Sequence, residues 1–162
     1  MKREDFKKLF DDHFNPLRNY LYYRSGDQEL ATDIAQESFM RIWEKQLEKT
    51  NKELVGLLYK IAMDLFISKN RHQKVVQNFT MQDHTMELAQ SPEEELTYRE
   101  LKTRYETALL ELPEGQRTVF LMSRMDELKY HEIAERLQLS VKSVEKRMTQ
   151  ALKHLKQALG QS

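Results

Sequence analysis

The chain has 162 residues and no cysteine, with 26 Lys+Arg against 26 Asp+Glu, 40% hydrophobic residues and 32% charged ones. That is enough chain to bury a core in a soluble globular protein, and without cysteine there are no disulfides, thiolate metal sites or cysteine nucleophiles. Four glycines and three prolines are too few turn signals for a sandwich, a barrel or a βαβ fold, which leaves an all-α chain as the expectation. The opening MKREDFKKLF carries charge throughout, and no stretch approaches the roughly 18 apolar residues of a membrane span. A cytoplasmic location is expected.

Phe6, Leu9, Phe10, Phe14, Leu17 and Leu21 recur at spacings of three and four and predict an amphipathic first helix, which Pro16 kinks or restarts. Ser25, Gly26 and Asp27 form a turn, with Asp27 the N-cap of a second helix that turns Leu30, Ile34, Phe39 and Ile42 inward. Trp43 is placed at the edge of that packing. Residues 47–51 read as a loop, and Thr50 with Glu53 makes a capping box that starts a third helix faced by Leu54, Leu57, Leu58, Ile61 and Leu65. It runs into SKNRHQK, whose basic residues partly complement the helix dipole.

The polar residues 79–90 lack sustained periodicity and read as a flexible linker. Ser91, Pro92 and Glu94 then supply an N-cap, a first-turn proline and a capping-box glutamate. The expected organisation is two small helical domains, residues 1–78 and 92–162, joined by 79–91. In the second, a long helix breaks at Leu112-Pro113, and another runs from Glu114 to Met125. A short helix over Tyr130–Leu137 turns Ile133, Ala134 and Leu137 inward, residues 138–140 turn with Ser140 as N-cap, and a last helix follows. Its expected inward stripe is Val141, Val144, Met148, Leu152, Leu155 and Leu159.

Charge is unevenly spread. Residues 1–75 hold 14 basic and 12 acidic side chains, residues 76–115 hold 3 and 9, and residues 116–162 hold 9 and 5. Two basic ends around an acidic middle suggest two separate surfaces for a polyanion. A short helix, a three-residue turn and a longer helix with a polar outer face form the helix-turn-helix pattern, whose second helix enters the DNA major groove. Lys142, Ser143, Glu145, Lys146, Arg147 and Gln150 occupy that outer face. Lys and Arg can donate to guanine, Gln can bridge adenine, and Glu can accept from cytosine. Asp33, Gln36, Glu37, Arg41 and Glu44 likewise share one outer face of the second helix.

Catalytic patterns are weak. His131-Glu132 begins like a zinc-protease helix, but the position four after the histidine is Glu135, and His13, His72, His84 and His154 are far apart. No catalytic residue, metal, cofactor or small-molecule substrate is expected.

The order of the segments resembles the sigma-70 family of RNA polymerase initiation factors, in its small two-domain extracytoplasmic-function (ECF) group. ELATDIAQESFMRIWEK (29–45) is similar to the family's core-polymerase-binding helix. LLYKIAMDLFISKNRHQK (57–74) is similar to its minus-ten segment, and residues 112–156 to its minus-thirty-five-binding domain. The resemblance implies that Asp33, Gln36, Glu37, Arg41 and Glu44 meet core polymerase, the first three at the β′ clamp, with the β flap a further contact. It implies a flipped-base site at residues 47–51, and phosphate contacts from Lys60, Lys69, Arg71 and Lys74. Asp64 stands where the family usually has Asn, and Ser68 where it usually has Asp. Core RNA polymerase, promoter DNA and an anti-sigma factor are the partners implied. Two other readings remain open: an independent helix-turn-helix regulator with an N-terminal sensor or dimerisation domain, and a helical adaptor with no DNA role.

Overall fold

The computed structural model describes residues 1–70 and 91–160. The predicted C-terminal end of the first domain and nearly all of the predicted linker therefore lie outside the described residues, as do Arg71 and Lys74. The described residues form seven helices and no strand: α1 (Arg3–Ser25), α2 (Gln28–Lys45), α3 (Asn51–Asn70), α4 (Pro92–Glu111), α5 (Glu114–Arg124), α6 (Tyr130–Leu137) and α7 (Val141–Gly160).

The helix ends lie where local chemistry stops or starts the backbone ladder. Gly26 adopts φ 71° and its N–H donates to Tyr22 O, closing α1. A left-handed conformation of this kind carries little penalty at glycine. Asp27 Oδ1 accepts from the Leu30 N–H at 3.1 Å and opens α2. Thr50 and Glu53 exchange backbone-to-side-chain bonds at 3.0 and 3.2 Å, the predicted capping box of α3. Ser91 accepts from the Glu94 N–H at the start of α4, and Ser140 from the Ser143 N–H at the start of α7. Pro16 neither ends nor restarts α1, which is continuous across it.

Helices α1–α3 pack around Leu17, Leu21, Ile34, Phe39, Ile42 and Leu58. Helices α4–α7 pack around Leu109, Val119, Leu121, Ile133, Val144 and Ala151. Each side chain of this kind taken fully out of water contributes roughly 1.5–3 kcal/mol. The last helix departs from expectation at two positions: Val141 and Leu152 are 41% and 47% exposed, and Ala151 is buried instead. At about 100° per residue, Val141 and Leu152 fall roughly 60–80° to one side of Val144, at the rim of the apolar stripe.

The two groups of helices dock on each other, α5 against α1 and α6 against α3. Arg117 of α5 is 3% exposed. Its Nε donates to Tyr23 O at 2.7 Å, its Nη2 to Arg24 O at 2.6 Å and its Nη1 to Leu112 O at 3.4 Å. The C-terminal carbonyls of α1, which no further helical turn satisfies, thus receive a buried guanidinium. Arg24 pairs with Glu114, and its guanidinium lies 4.5 Å from the centre of the Phe66 ring. Farther along the same interface, Tyr23 Oη and Asn19 Nδ2 donate to Asp126 Oδ1 at 2.7 and 3.2 Å.

Asp126 is expected to give the docking a pH dependence. Burial pushes its carboxyl above the ordinary aspartate range, against the opposing pull of the Tyr23 and Asn19 hydrogen bonds, and its Oδ2 is buried without a hydrogen-bond partner among the described residues. A folded pKa above the unfolded value means stability that is fully present below about 3.9, the ordinary value, and lost as pH rises through the folded one. Asp126→Asn is therefore expected to abolish that part of the decline towards neutral pH. Urea midpoints of wild type and variant, compared across pH, are expected to diverge; parallel curves would exclude Asp126 as the titrating group.

Candidate nucleic-acid and polymerase interfaces

The first candidate surface is the outer face of α2. Ile34 and Ile42 are fully buried, which turns Asp33, Gln36, Arg41 and Glu44 to solvent. Glu37 is half-buried: it accepts from Arg41 Nη2 at 3.2 Å and pairs with Lys69 Nζ of α3 at 3.1 Å. The Lys69 hydrogen bond is the main reason its carboxyl sits below the usual glutamate range, with Arg41 adding to the effect. A predicted polymerase contact and a predicted phosphate contact are thus partners of each other. Met40, absent from the sequence reading, is 61% exposed on this face. Its signal was present in the spacing, four after Gln36 and four before Glu44, and methionine is enriched at protein interfaces. Trp43 packs on Phe6 with ring centres 5.0 Å apart, at the edge expected for it.

The second surface is on α3 and the loop before it. Lys60, Asp64 and Ser68 are all exposed, and their spacing of four puts the two unusual positions on the stripe that carries Lys60. Between the start of α1 and the loop before α3 lies a cavity of about 830 Å³, lined by Lys2, Lys8, Leu47, Lys49 and Asn51 among others. Residues 47–51, expected to hold a flipped base, thus border a cavity lined by three lysines and by the carboxylates of Asp5 and Glu48.

The third surface is the α6–α7 pair. Gln138 takes a left-handed φ of 56° and the Leu139 N–H donates to Ala134 O at 2.9 Å, giving the tight turn the sequence predicts. Lys142, Glu145, Lys146 and Gln150 are exposed. Ser143 is half-buried against Ser140, with the two hydroxyls 3.1 Å apart. Gln150 Oε1 accepts from Gln116 Nε2 of α5 at 3.1 Å. Arg147 is also half-buried, and it lines a cavity of about 380 Å³ with Tyr20, Arg24, Met63 and Glu114. It therefore leaves the fully exposed set and faces the seam between the two groups of helices.

Comparison with known proteins accounts for most of the chain. Residues 9–76 match the family described as Sigma-70 region 2, and residues 102–155 match Sigma-70, region 4. The ECF RNA polymerase sigma factor SigW of Bacillus subtilis is 27% identical over 168 residues, spanning 97% of this chain and 90% of SigW. The ferric citrate uptake sigma factor FecI of Escherichia coli is 28% identical over 153 residues, spanning 92% of this chain and 87% of FecI. A solved structure of similar fold is the sigma factor RpoE of Bartonella quintana in complex with the anti-sigma factor NepR. It has a TM-score of 0.60 and 17% identity, covering 97% of this chain and 98% of that one. Regions 2 and 4 in this order, carried on a polar α2 face and a helix-turn-helix and shared with full-length ECF relatives, show that the chain belongs to the ECF group of the sigma-70 family.

Proposed function

We propose that residues 1–78 act as sigma region 2, holding core RNA polymerase and the minus-ten element, and residues 92–162 as region 4, reading the minus-thirty-five element, with 79–91 as the link. The observation that carries this reading is the coexistence in one chain of an exposed amide and carboxylate face on α2 and a basic-faced helix-turn-helix on α6–α7. Asp33, Gln36 and Glu37 meet the β′ clamp and Arg41 and Glu44 are further contacts to core polymerase, with Met40 as the apolar centre of that patch. The β flap meets region 4. Lys60, Lys69, Arg71 and Lys74 neutralise phosphates, and the lysine-rimmed cavity at residues 47–51 takes an unstacked base. Unstacking costs a few kcal/mol per base, so pocket and phosphate contacts must supply it together.

The protein does no covalent chemistry and works in the cytoplasm as an initiation factor; among the described residues no helix is long and apolar enough to cross a membrane. An anti-sigma factor is the further partner, and one that spans the two docked groups of helices would hold both at once. Two elements about 25 base pairs apart are separated by about 85 Å of duplex at roughly 3.4 Å per pair. A compact chain of this length has a radius of gyration of about 15 Å. Engaging both elements therefore requires α1 and α5 to part.

The test is run-off transcription from a matched promoter with purified core polymerase, where specific transcripts are expected only when the chain is added. Tight sequence-specific binding of duplex by the chain alone at physiological salt would favour the independent regulator. Asp33→Ala combined with Glu37→Ala is expected to weaken core binding at least about tenfold with helical content unchanged, since Asp33 is exposed and the pairs of Glu37 with Arg41 and Lys69 are solvent-accessible ion pairs that contribute little stability. Unchanged capture of core enzyme by the double variant would remove the clamp assignment.

A further inference from the structure

Gly115 stands second in α5, where glycine weakens a helix and nearly any other residue would serve it better. Its backbone does not ask for glycine, since Gly26 is the glycine with positive φ. What asks for it is Arg147. A Cβ placed on Gly115 would lie 2.8 Å from Arg147 Nη1, closer than a normal contact, and 3.2 Å from Cζ, tighter than most. The guanidinium of a recognition-helix residue therefore rests on the bare backbone of α5. The neighbouring contacts also join α5 to α7: Gln116 Nε2 donates to Gln150 Oε1, and Gln116 Oε1 lies 3.1 Å from His154 Nδ1.

We propose that Gly115 is a positioning residue for minus-thirty-five recognition: by lacking a side chain it gives Arg147 a seat at the start of α5, and this seat sets where the guanidinium meets the upstream element. The inference rests on the reading of α7 as the recognition helix. Gly115 and Arg147 both belong to the second group of helices, and the cavity beside them is also lined by Tyr20 and Arg24 of α1 and Met63 of α3. The atoms a new methyl would meet are the far end of a long side chain, so Gly115→Ala moves Arg147 outward and leaves the core as it is. Two residues reaching DNA through one geometry are coupled, and that coupling is measurable.

The experiment uses holoenzymes carrying Gly115→Ala, Arg147→Ala or both, on promoters randomised in the upstream element. Gly115→Ala is expected to lower discrimination about fivefold at the same position that Arg147→Ala relaxes, the low end for one base contact. It is expected to have no further effect in the Arg147→Ala background. Its melting temperature is expected to stay the same or rise. A normal preference in Gly115→Ala beside a relaxed one in Arg147→Ala overturns the seat and leaves the recognition helix standing. A normal preference in Arg147→Ala overturns the reading of that residue and the seat with it. If Gly115→Ala melts low, Gly115→Ser replaces it under the same criteria.

Discussion

Arg117→Ala is expected to release α5 from α1 and to cost about 3 kcal/mol of interface stability, because the guanidinium is buried and carries two short bonds across the seam. Bonds to a charged group contribute about 1.5–3 kcal/mol each, and truncation also leaves the Tyr23 and Arg24 carbonyls at the end of α1 without their donor. Arg117→Lys is expected to be nearly as damaging, since one ammonium cannot reproduce the planar fork that reaches both oxygens. X-ray scattering is the direct measurement: the variant is expected to show a larger radius of gyration at unchanged helical content. A scattering curve like that of wild type would mean the docking is held elsewhere, at Tyr23–Asp126 and Arg24–Glu114.

Lys146→Ala and Arg147→Ala are expected to separate two kinds of DNA contact. Lys146 is exposed on the outer face of α7, whereas Arg147 is half-buried at its edge. A residue that reads a base costs about 1–3 kcal/mol when truncated and relaxes preference at one position, while a phosphate contact weakens all sequences alike and lowers the salt dependence. The fully exposed lysine is expected to behave in the second way and the seated arginine in the first. Holoenzyme binding to promoters varied in either element, at two salt concentrations, distinguishes them. A change of preference confined to the minus-ten element would contradict both assignments.

What was legible in the sequence was local. Asp27, Thr50 with Glu53, Ser91 and Ser140 cap their helices as read, because a cap is chemistry within one turn. The polar face of α2 followed from its period alone. The docking was not legible: the bonds of Arg117 to α1 and of Tyr23 to Asp126 join residues 93 to 103 positions apart. Tyr23 was outside the predicted stripe of α1 for the same reason, since the stripe faces α2 and α3 while Tyr23 and Arg24 face α5 and the loop after it, whereas Tyr20 packs on Tyr59 of α3. The pairing of Lys69 with Glu37 escaped notice because each was read against an external partner, and only the packing of α3 on α2 brings them together.

The clasp of Arg117 on the end of α1 also sets how strongly any partner of the parted form can be held. A ligand that needs a minor conformation has its dissociation constant multiplied by the inverse of that conformation's population. If the docked form outweighs the parted one by about a hundredfold, a partner that requires parting binds about a hundredfold more weakly than its contacts alone would give. A partner that spans the docked helices carries no such penalty. On the proposed reading, one buried guanidinium would tilt the competition between inhibitor and polymerase before either arrives, and variants of Arg117 would retune it without touching a residue proposed to contact DNA.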